Sequence, residues 1–92
     1  MTSQAVTVVN QLGMHARAAA KFVHLATRYE ARVKVTRERR EIDGKSIMGI
    51  LLLAAARGST ITISADGHDE GDAVHALVAL VQSGFGEDVC SA

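Results

Sequence analysis

The sequence predicts an α+β domain in which three helices cover one face of a four-stranded antiparallel sheet. Three observations carry this. Short β-branched or alternating segments give strands, while segments with apolar residues three and four apart give helices. The two kinds follow one another in the order β-α-β-β-α-β-α. The alternating strands have one apolar and one polar face, which suits a sheet covered on a single side and favours antiparallel pairing over a doubly wound parallel sheet. The 92 residues make one domain, with an ordered core over about 4–87 and a frayed tail at 88–92. With 48% apolar and 22% charged residues the composition is that of a globule. Phe22, Tyr29 and Phe85 are the only aromatics, so Ala, Val, Ile and Leu must do most of the packing.

Ala5 to Val9 is a β-branched run ended by Asn10-Gln11-Leu12-Gly13, a strand followed by a loop. From Ala16 to Tyr29, Ala19, Phe22, Val23, Ala26 and Tyr29 fall on one stripe of a helix, with Arg17, Lys21, His24 and Arg28 on the opposite one. Arg32–Arg37 alternates, with Val33 and Val35 inward, and Arg40–Asp43 is its antiparallel partner across a turn at Glu38-Arg39. Ser46 is a good N-cap for a second helix from Ile47 to Arg57, closed by Gly58. Ser59–Ala65 alternates with Ile61, Ile63 and Ala65 inward. Asp69 can cap a third helix over Glu70–Ser83, whose buried stripe is Val74, Leu77, Val78 and Val81, and Gly84 and Gly86 end it.

Ten basic and ten acidic side chains leave no net charge at pH 7. That speaks against a nucleic-acid or anionic-membrane binder, classes marked by a basic excess. The charges are polarised, however. Residues 1–46 hold nine Lys or Arg against four acids, a net +5, and residues 47–92 hold Arg57 against six acids, a net −5. Arg17, Lys21, Arg28 and Lys45 are expected to gather beside His15, where an acidic protein face or a phosphate can be met. Asp66, Asp69, Glu70 and Asp72 suit the positive end of the last helix. The lone Cys90 cannot form an internal disulfide and points to a reducing cytoplasm. The start has no basic segment leading into an apolar one, so no signal peptide is read, and no apolar run reaches the roughly 18–20 residues of a membrane span.

Two places can carry chemistry. Gly13-Met14-His15-Ala16-Arg17-Ala18 joins the first strand to the first helix. The unpaired N–H groups and dipole of a helix N-terminus favour an anion there and disfavour an imidazolium, which suits a nucleophilic His15. Arg17 can return a fork of donors to phosphate oxygens. Gly44-Lys45-Ser46-Ile47-Met48-Gly49 opens the second helix. Ser46 is explained as a cap, and its place also suits a regulatory phosphate. The helix behind it is apolar nearly all round, so part of Ile47, Met48, Ile50, Leu51, Leu52 and Leu53 should face solvent and suit partner docking. His15, His24, His68 and His75 include no pair four residues apart, and no metal site is read.

With these motifs in place the chain resembles the HPr family, histidine-containing phosphocarriers of the bacterial phosphoenolpyruvate-dependent sugar phosphotransferase system. The likeness runs from Ala5 to about Glu87 and rests on Asn10-Gln11-Leu12-Gly13-Met14-His15-Ala16-Arg17, on Asp43-Gly44-Lys45-Ser46-Ile47-Met48-Gly49 and on Ala55-Ala56-Arg57-Gly58-Ser59. It implies an open-faced β-sandwich and a carrier, not an enzyme. His15 would accept a phosphoryl group from phospho-enzyme I, on the ring nitrogen nearer the backbone and beside Arg17, and pass it to an enzyme IIA-type acceptor. Ser46 would be the target of HPr kinase/phosphorylase. The implied partner surface is Ala16, Arg17, Ala20, Lys21, His24, Ile47, Met48 and Leu51, with Lys45 alongside. The likeness implies no cofactor and a cytoplasmic monomer.

One departure stands out. The family often has Pro where this chain has Ala18, and the chain has no proline. Ala is a good helix residue, so the first turn should form regardless. The change points to a proteobacterial branch that regulates nitrogen or carbon metabolism. Two rivals to the carrier are a binding module controlled through Ser46 alone and a small ligand-binding domain. The first leaves His15 and Arg17 without a purpose, and the second needs a pocket that no sequence feature announces.

Overall fold

The computed structural model describes residues 1–86. Cys90 and the tail from residue 87, expected to fray from 88, lie outside the described residues. The elements are β1 (Thr2–Thr7), α1 (Ala16–Ala26), β2 (Arg32–Arg37), β3 (Arg40–Asp43), α2 (Ile47–Leu53), β4 (Thr60–Asp66) and α3 (Glu70–Gln82), followed by a 3-10 turn at Gly84–Gly86. They give the expected β-α-β-β-α-β-α order and one antiparallel sheet, β1-β4-β2-β3.

Alternation sets the register. Val6 lies opposite Ile61, and Ile63 lies opposite Val35, so the inward residues of three strands meet on one face. Val33, Val35, Ile61, Ile63 and Ala65 are buried there against Phe22, Val23, Val74, Leu77 and Val81 from the helices. The outward Arg32, Lys34, Thr60 and Thr62 stay exposed or half-buried, and Lys34 reaches Glu41 across the β2–β3 pair at 3.3 Å. Gly49 brings α2 close to β3: a Cβ there would lie 3.4 Å from the Asp43 carbonyl oxygen and from Ile42 Cβ.

Three elements differ from expectation by more than one residue. β1 spans Thr2–Thr7, not Ala5–Val9, because β4 runs to Asp66 and pairs with polar Thr2, Ser3 and Gln4. Partner strand length overrides propensity here. Val8 remains buried and bonded to the loop before β4, donating to the Ser59 carbonyl at 2.9 Å and accepting from the Gly58 amide at 2.8 Å. α1 stops at Ala26 because the next amides switch to i−3 carbonyls, Arg28 to Leu25 and Tyr29 to Ala26, a tighter 3-10 ending.

The third difference is the largest. α2 ends at Leu53, four residues short of Arg57, because Ala54 turns left-handed at φ 55°, ψ 36°. Ala55 then leaves the helix axis and is buried beside the loop that carries His15. A residue with a Cβ is strained in this conformation by about 1–2 kcal/mol, which glycine avoids at some cost in unfolded-state entropy. Ala54→Gly is therefore expected to raise stability by about 0.5–1 kcal/mol in urea unfolding. Unchanged or lower stability would show that the left-handed turn is not strained.

Phe85, which the sequence offered only as an aromatic, is fully buried in the Gly84–Gly86 turn with a left-handed φ of 61°. Asp69 begins α3, but its carboxylate does not cap it. It accepts instead from the Glu30 and Ala31 amides, at 2.9 Å each, tying the segment just before β2 to the start of α3. Those amides, Glu30 first, hold its pKa below the usual range. Glu70 takes over the local work. It accepts from the Thr2 hydroxyl at 2.5 Å, the Gly67 amide at 3.3 Å and the Met1 amine at 2.9 Å.

The Thr2 hydroxyl, the terminal amine and the Gly67 amide together lower the Glu70 carboxyl to about 2 from 4.5. A depressed folded pKa contributes stability above the unfolded value that is lost as pH falls toward the folded one. The melting temperature is therefore expected to drop between pH 4.5 and about 2. Glu70→Gln should melt below the wild type at pH 7, and the gap should close by pH 2. A gap independent of pH would exclude the carboxylate as its source.

Candidate functional site

Among the described residues, the loop between β1 and α1 is built from the backbone outward. Asn10 is fully buried, and its Nδ2 donates to the Gly13 carbonyl at 2.8 Å, while the Gly13 amide returns to the Asn10 carbonyl at 3.2 Å. This closes a tight turn with Leu12 exposed at its tip. Gly13 has φ 65°, and a Cβ on it would sit 2.6 Å from the Ala55 carbonyl oxygen and 2.9 Å from Ala56 Cα. The loop after α2 thus packs directly on the loop before α1. The buried Met14 fastens the two, its amide donating to the Ala55 carbonyl at 3.0 Å.

His15 follows as the N-cap of α1, with an extended backbone at φ −74°, ψ 178°. Its amide donates to the Gly13 carbonyl at 2.9 Å, and its carbonyl accepts from the Ala19 amide at 2.8 Å. Its Nδ1 accepts from the Arg17 amide at 3.2 Å. A ring nitrogen that accepts a hydrogen bond presents a lone pair, so this geometry fits the tautomer with its proton on Nε2. The Nδ1 lone pair points into the N–H groups that open α1. No acidic side chain lies in that first turn, so nothing there opposes an anion at the positive end of the helix dipole. Arg17 is exposed beside it. Ala18 is buried inside the helix, and the first turn forms without a proline.

Ser46 caps α2 as expected, its Oγ accepting from the Gly49 amide at 3.1 Å. An Asp43 carboxylate oxygen holds the Lys45 amide at 2.9 Å just before it. Only Ile50 and Leu53 of α2 are buried. Ile47, Met48, Leu51 and Leu52 face solvent, Met48 at 66% and Leu52 at 60%. Leu52 is missing from the docking residues that the resemblance implies, although a helical projection at 100° per residue sets it next to Met48.

The basic residues do not form one cluster around His15. On the wheel of α1, Ala16 and Ala20 lie on the flank away from α3, and Arg17 and His24 near the crest. Lys21 lies on the flank toward α3. A groove of about 250 Å³ there is lined by Lys21, His24, Leu25, Arg28 and Leu80. The Lys21 ammonium donates to the Phe85 carbonyl at 2.7 Å. Lys45 lies at the opposite end from His15: its ammonium donates to the Tyr29 carbonyl at 2.7 Å, past the C-terminus of an α1 about 16 Å long. The sequence grouping failed for Lys45 and Arg28 because a list of charges carries no direction along a helix. No group of three or more His, Cys, Asp or Glu among the described residues is placed to hold a metal, and no described helix is long and apolar enough to cross a membrane.

Comparison with known proteins agrees with this architecture. The family model "PTS HPr component phosphorylation site" matches residues 2–83. A phosphocarrier protein HPr of Cupriavidus necator is 48% identical over 87 residues, covering 95% of this chain and 98% of the relative. The crystal structure of HPr-C-His from Thermoanaerobacter tengcongensis matches with a TM-score of 0.93 at 38% identity, over 97% of this chain and 100% of that one. A phosphocarrier protein HPr from Bacillus anthracis matches with a TM-score of 0.85 at 41% identity, over 88% of this chain and 96% of that one. A match spanning fold, loop and helix start together makes this chain a member of the HPr family, the phosphocarrier proteins of the phosphotransferase system.

Proposed function

We propose that His15 is the residue that carries the phosphoryl group, taking it from phospho-enzyme I and giving it to an enzyme IIA-type acceptor. The observation that carries this is the Nδ1 of His15 set at the α1 N-terminus and accepting the Arg17 amide. In the forward step a new P–N bond forms at Nδ1 as the P–N bond on the enzyme I histidine breaks in line with it. The second transfer is the same exchange in reverse sense, with the IIA histidine as acceptor. The Arg17 N–H that now meets the lone pair can turn to a phosphoryl oxygen, and the Arg17 guanidinium can add a charged donor. A single arginine and a helix end hold phosphate without enclosing it, which suits a relay that must also release.

Ala16, Arg17, Ala20, Ile47, Met48 and Leu51 form the docking face in this reading, with Leu52 added. Lys21 borders it from the α3 side, and His24 lies on the crest of α1 beyond Arg17. The chain acts as a cytoplasmic monomer, because the apolar face of α2 is needed by its partners in turn. Ser46 is the regulatory position, phosphorylated by HPr kinase/phosphorylase. Its hydroxyl stands at the start of the exposed apolar turn of α2, where a phosphate adds about −1.5 to −2 charge beside the docking residues.

Incubation with enzyme I and phosphoenolpyruvate is expected to add the mass of one acid-labile phosphoryl group to the intact protein. Phosphorus NMR should place it on an imidazole nitrogen. Labelling only by ATP and the kinase, at Ser46, would leave a regulatory module in place of a carrier.

A further inference from the structure

The hairpin between β2 and β3 meets the last turn of α2 through two arginines for which the carrier reading has no task. Arg40 Nη1 donates to the Leu52 carbonyl at 2.7 Å, and Arg37 Nη1 donates to the Leu53 carbonyl at 3.3 Å. The Ala54 amide meets the Leu51 carbonyl at 3.1 Å. Each of the last three carbonyls of α2 therefore has a donor, two of them from cations at the negative end of the helix. A helix of seven residues needs such help, because its own i−4 bonds are few and its termini fray.

The segment after α2 explains why the end of the helix must be held. Ala54 swings left-handed, and the next carbonyl, on buried Ala55, accepts the Met14 amide immediately before His15. Gly13 touches the same two residues, Ala55 and Ala56, with no room for a methyl group. On its far side this segment is anchored independently, by Gly58 and Ser59 on Val8. Ala55 and Ala56 thus hang between two anchors, and the arginines provide one of them.

We propose that Arg37 and Arg40 are positioning residues for phosphoryl transfer, fixing the Ala55 carbonyl that sets Met14 and, through it, the direction of the His15 imidazole. This rests on His15 being the phosphoryl-bearing residue. The arginines touch neither His15 nor the phosphate. They act along a continuous path: guanidinium, α2 carbonyl, Ala54 turn, Ala55 carbonyl, Met14 amide, His15. With the Val8 anchor left in place, their loss loosens the loop without unfolding the domain.

The test is the double variant Arg37→Met/Arg40→Met, with Arg37→Lys/Arg40→Lys as the rescue and Arg32→Met, on the outward side of β2, as the control. Amide hydrogen exchange at Met14 is expected to speed up about tenfold in the Met pair while central β4 amides change less. Transfer from enzyme I should lose about tenfold in kcat with KM within about twofold, as a misdirected nucleophile requires. The Lys pair should recover part of both, and Arg32→Met should match the wild type. If the double variant does not fold, Arg40→Met alone, which removes the exposed 2.7 Å bond, gives the same readouts. Unchanged Met14 exchange overturns the proposal, and so does a raised KM at constant kcat, which would make the arginines partner contacts. A wild-type chain that takes no phosphate on His15 sinks the carrier reading itself, an outcome distinct from normal wild-type transfer with an unaffected variant.

Discussion

His15→Ala is expected to fold, to lose about 1 kcal/mol of stability and to take up no phosphoryl group at all. The two losses have separate causes, which is what makes the variant informative. The ring nitrogen that accepts the Arg17 amide is also the N-cap acceptor of α1. Alanine removes cap and nucleophile together. Asparagine removes only the nucleophile, because its side-chain oxygen can accept the same amide and Asn is among the best N-caps. His15→Asn should therefore match the wild type in urea unfolding within a few tenths of a kcal/mol and remain as inert as His15→Ala toward enzyme I. Intact-mass measurement after incubation with phosphoenolpyruvate reads the second quantity. A phosphoryl group gained by either variant would move the site elsewhere. Normal stability in His15→Ala would mean that the 3.2 Å cap contributes nothing and that α1 is held by its buried stripe alone.

How far the sequence could anticipate this depends on the kind of information each feature needs. Alternation and helical spacing are local, and they place Val33, Val35, Ile61 and Ile63 inward and the buried stripes of α1 and α3 correctly, apart from Tyr29, which lies half-buried past the end of α1. The N-cap at Ser46 is also local, since a cap is defined within three residues. What the sequence hid was set at a distance. β1 starts early because β4 is long, and α2 stops early because Ala55 is claimed by Met14, 41 positions away in the chain. Ala54-Ala55-Ala56-Arg57 after Leu53 is all good helix former, with Gly58 placed as a natural stop. Only the tertiary bond reveals a loop. Asp69 shows the same effect: its type and position say cap, but two amides just before β2 bind it more usefully. The charge grouping around His15 failed for a related reason. Lys45 donates to the Tyr29 carbonyl and Arg28 lies past the end of α1, at the far end of the helix from His15, a placement that no charge count foresees.

Gly13→Ala is expected to cost about 2–4 kcal/mol in folding and to cut phosphoryl transfer about 10–100-fold, the largest effect of any single methyl group in the loop. Two penalties combine. At φ 65° the added Cβ brings the strain of a left-handed residue, about 1–2 kcal/mol. It also lands 2.6 Å from the Ala55 carbonyl oxygen and 2.9 Å from Ala56 Cα, both backbone atoms that cannot rotate away. The loop must therefore move, and the bond that moves with it is Met14 to Ala55, the one next to His15. Gly58 offers the control that separates the two penalties. It has φ 89° but no atom within 4 Å of the place its methyl group would take, so Gly58→Ala meets the conformational strain without the collision. Gly58→Ala should lose about 1–2 kcal/mol and transfer phosphate at close to the wild-type rate. Urea unfolding and single-turnover phosphorylation by enzyme I measure both variants. Equal losses of transfer in the two would show that loop stability in general, not the contact between the two loops, sets the His15 geometry. A Gly13→Ala protein with wild-type transfer would remove the Ala55 contact from any role in holding His15.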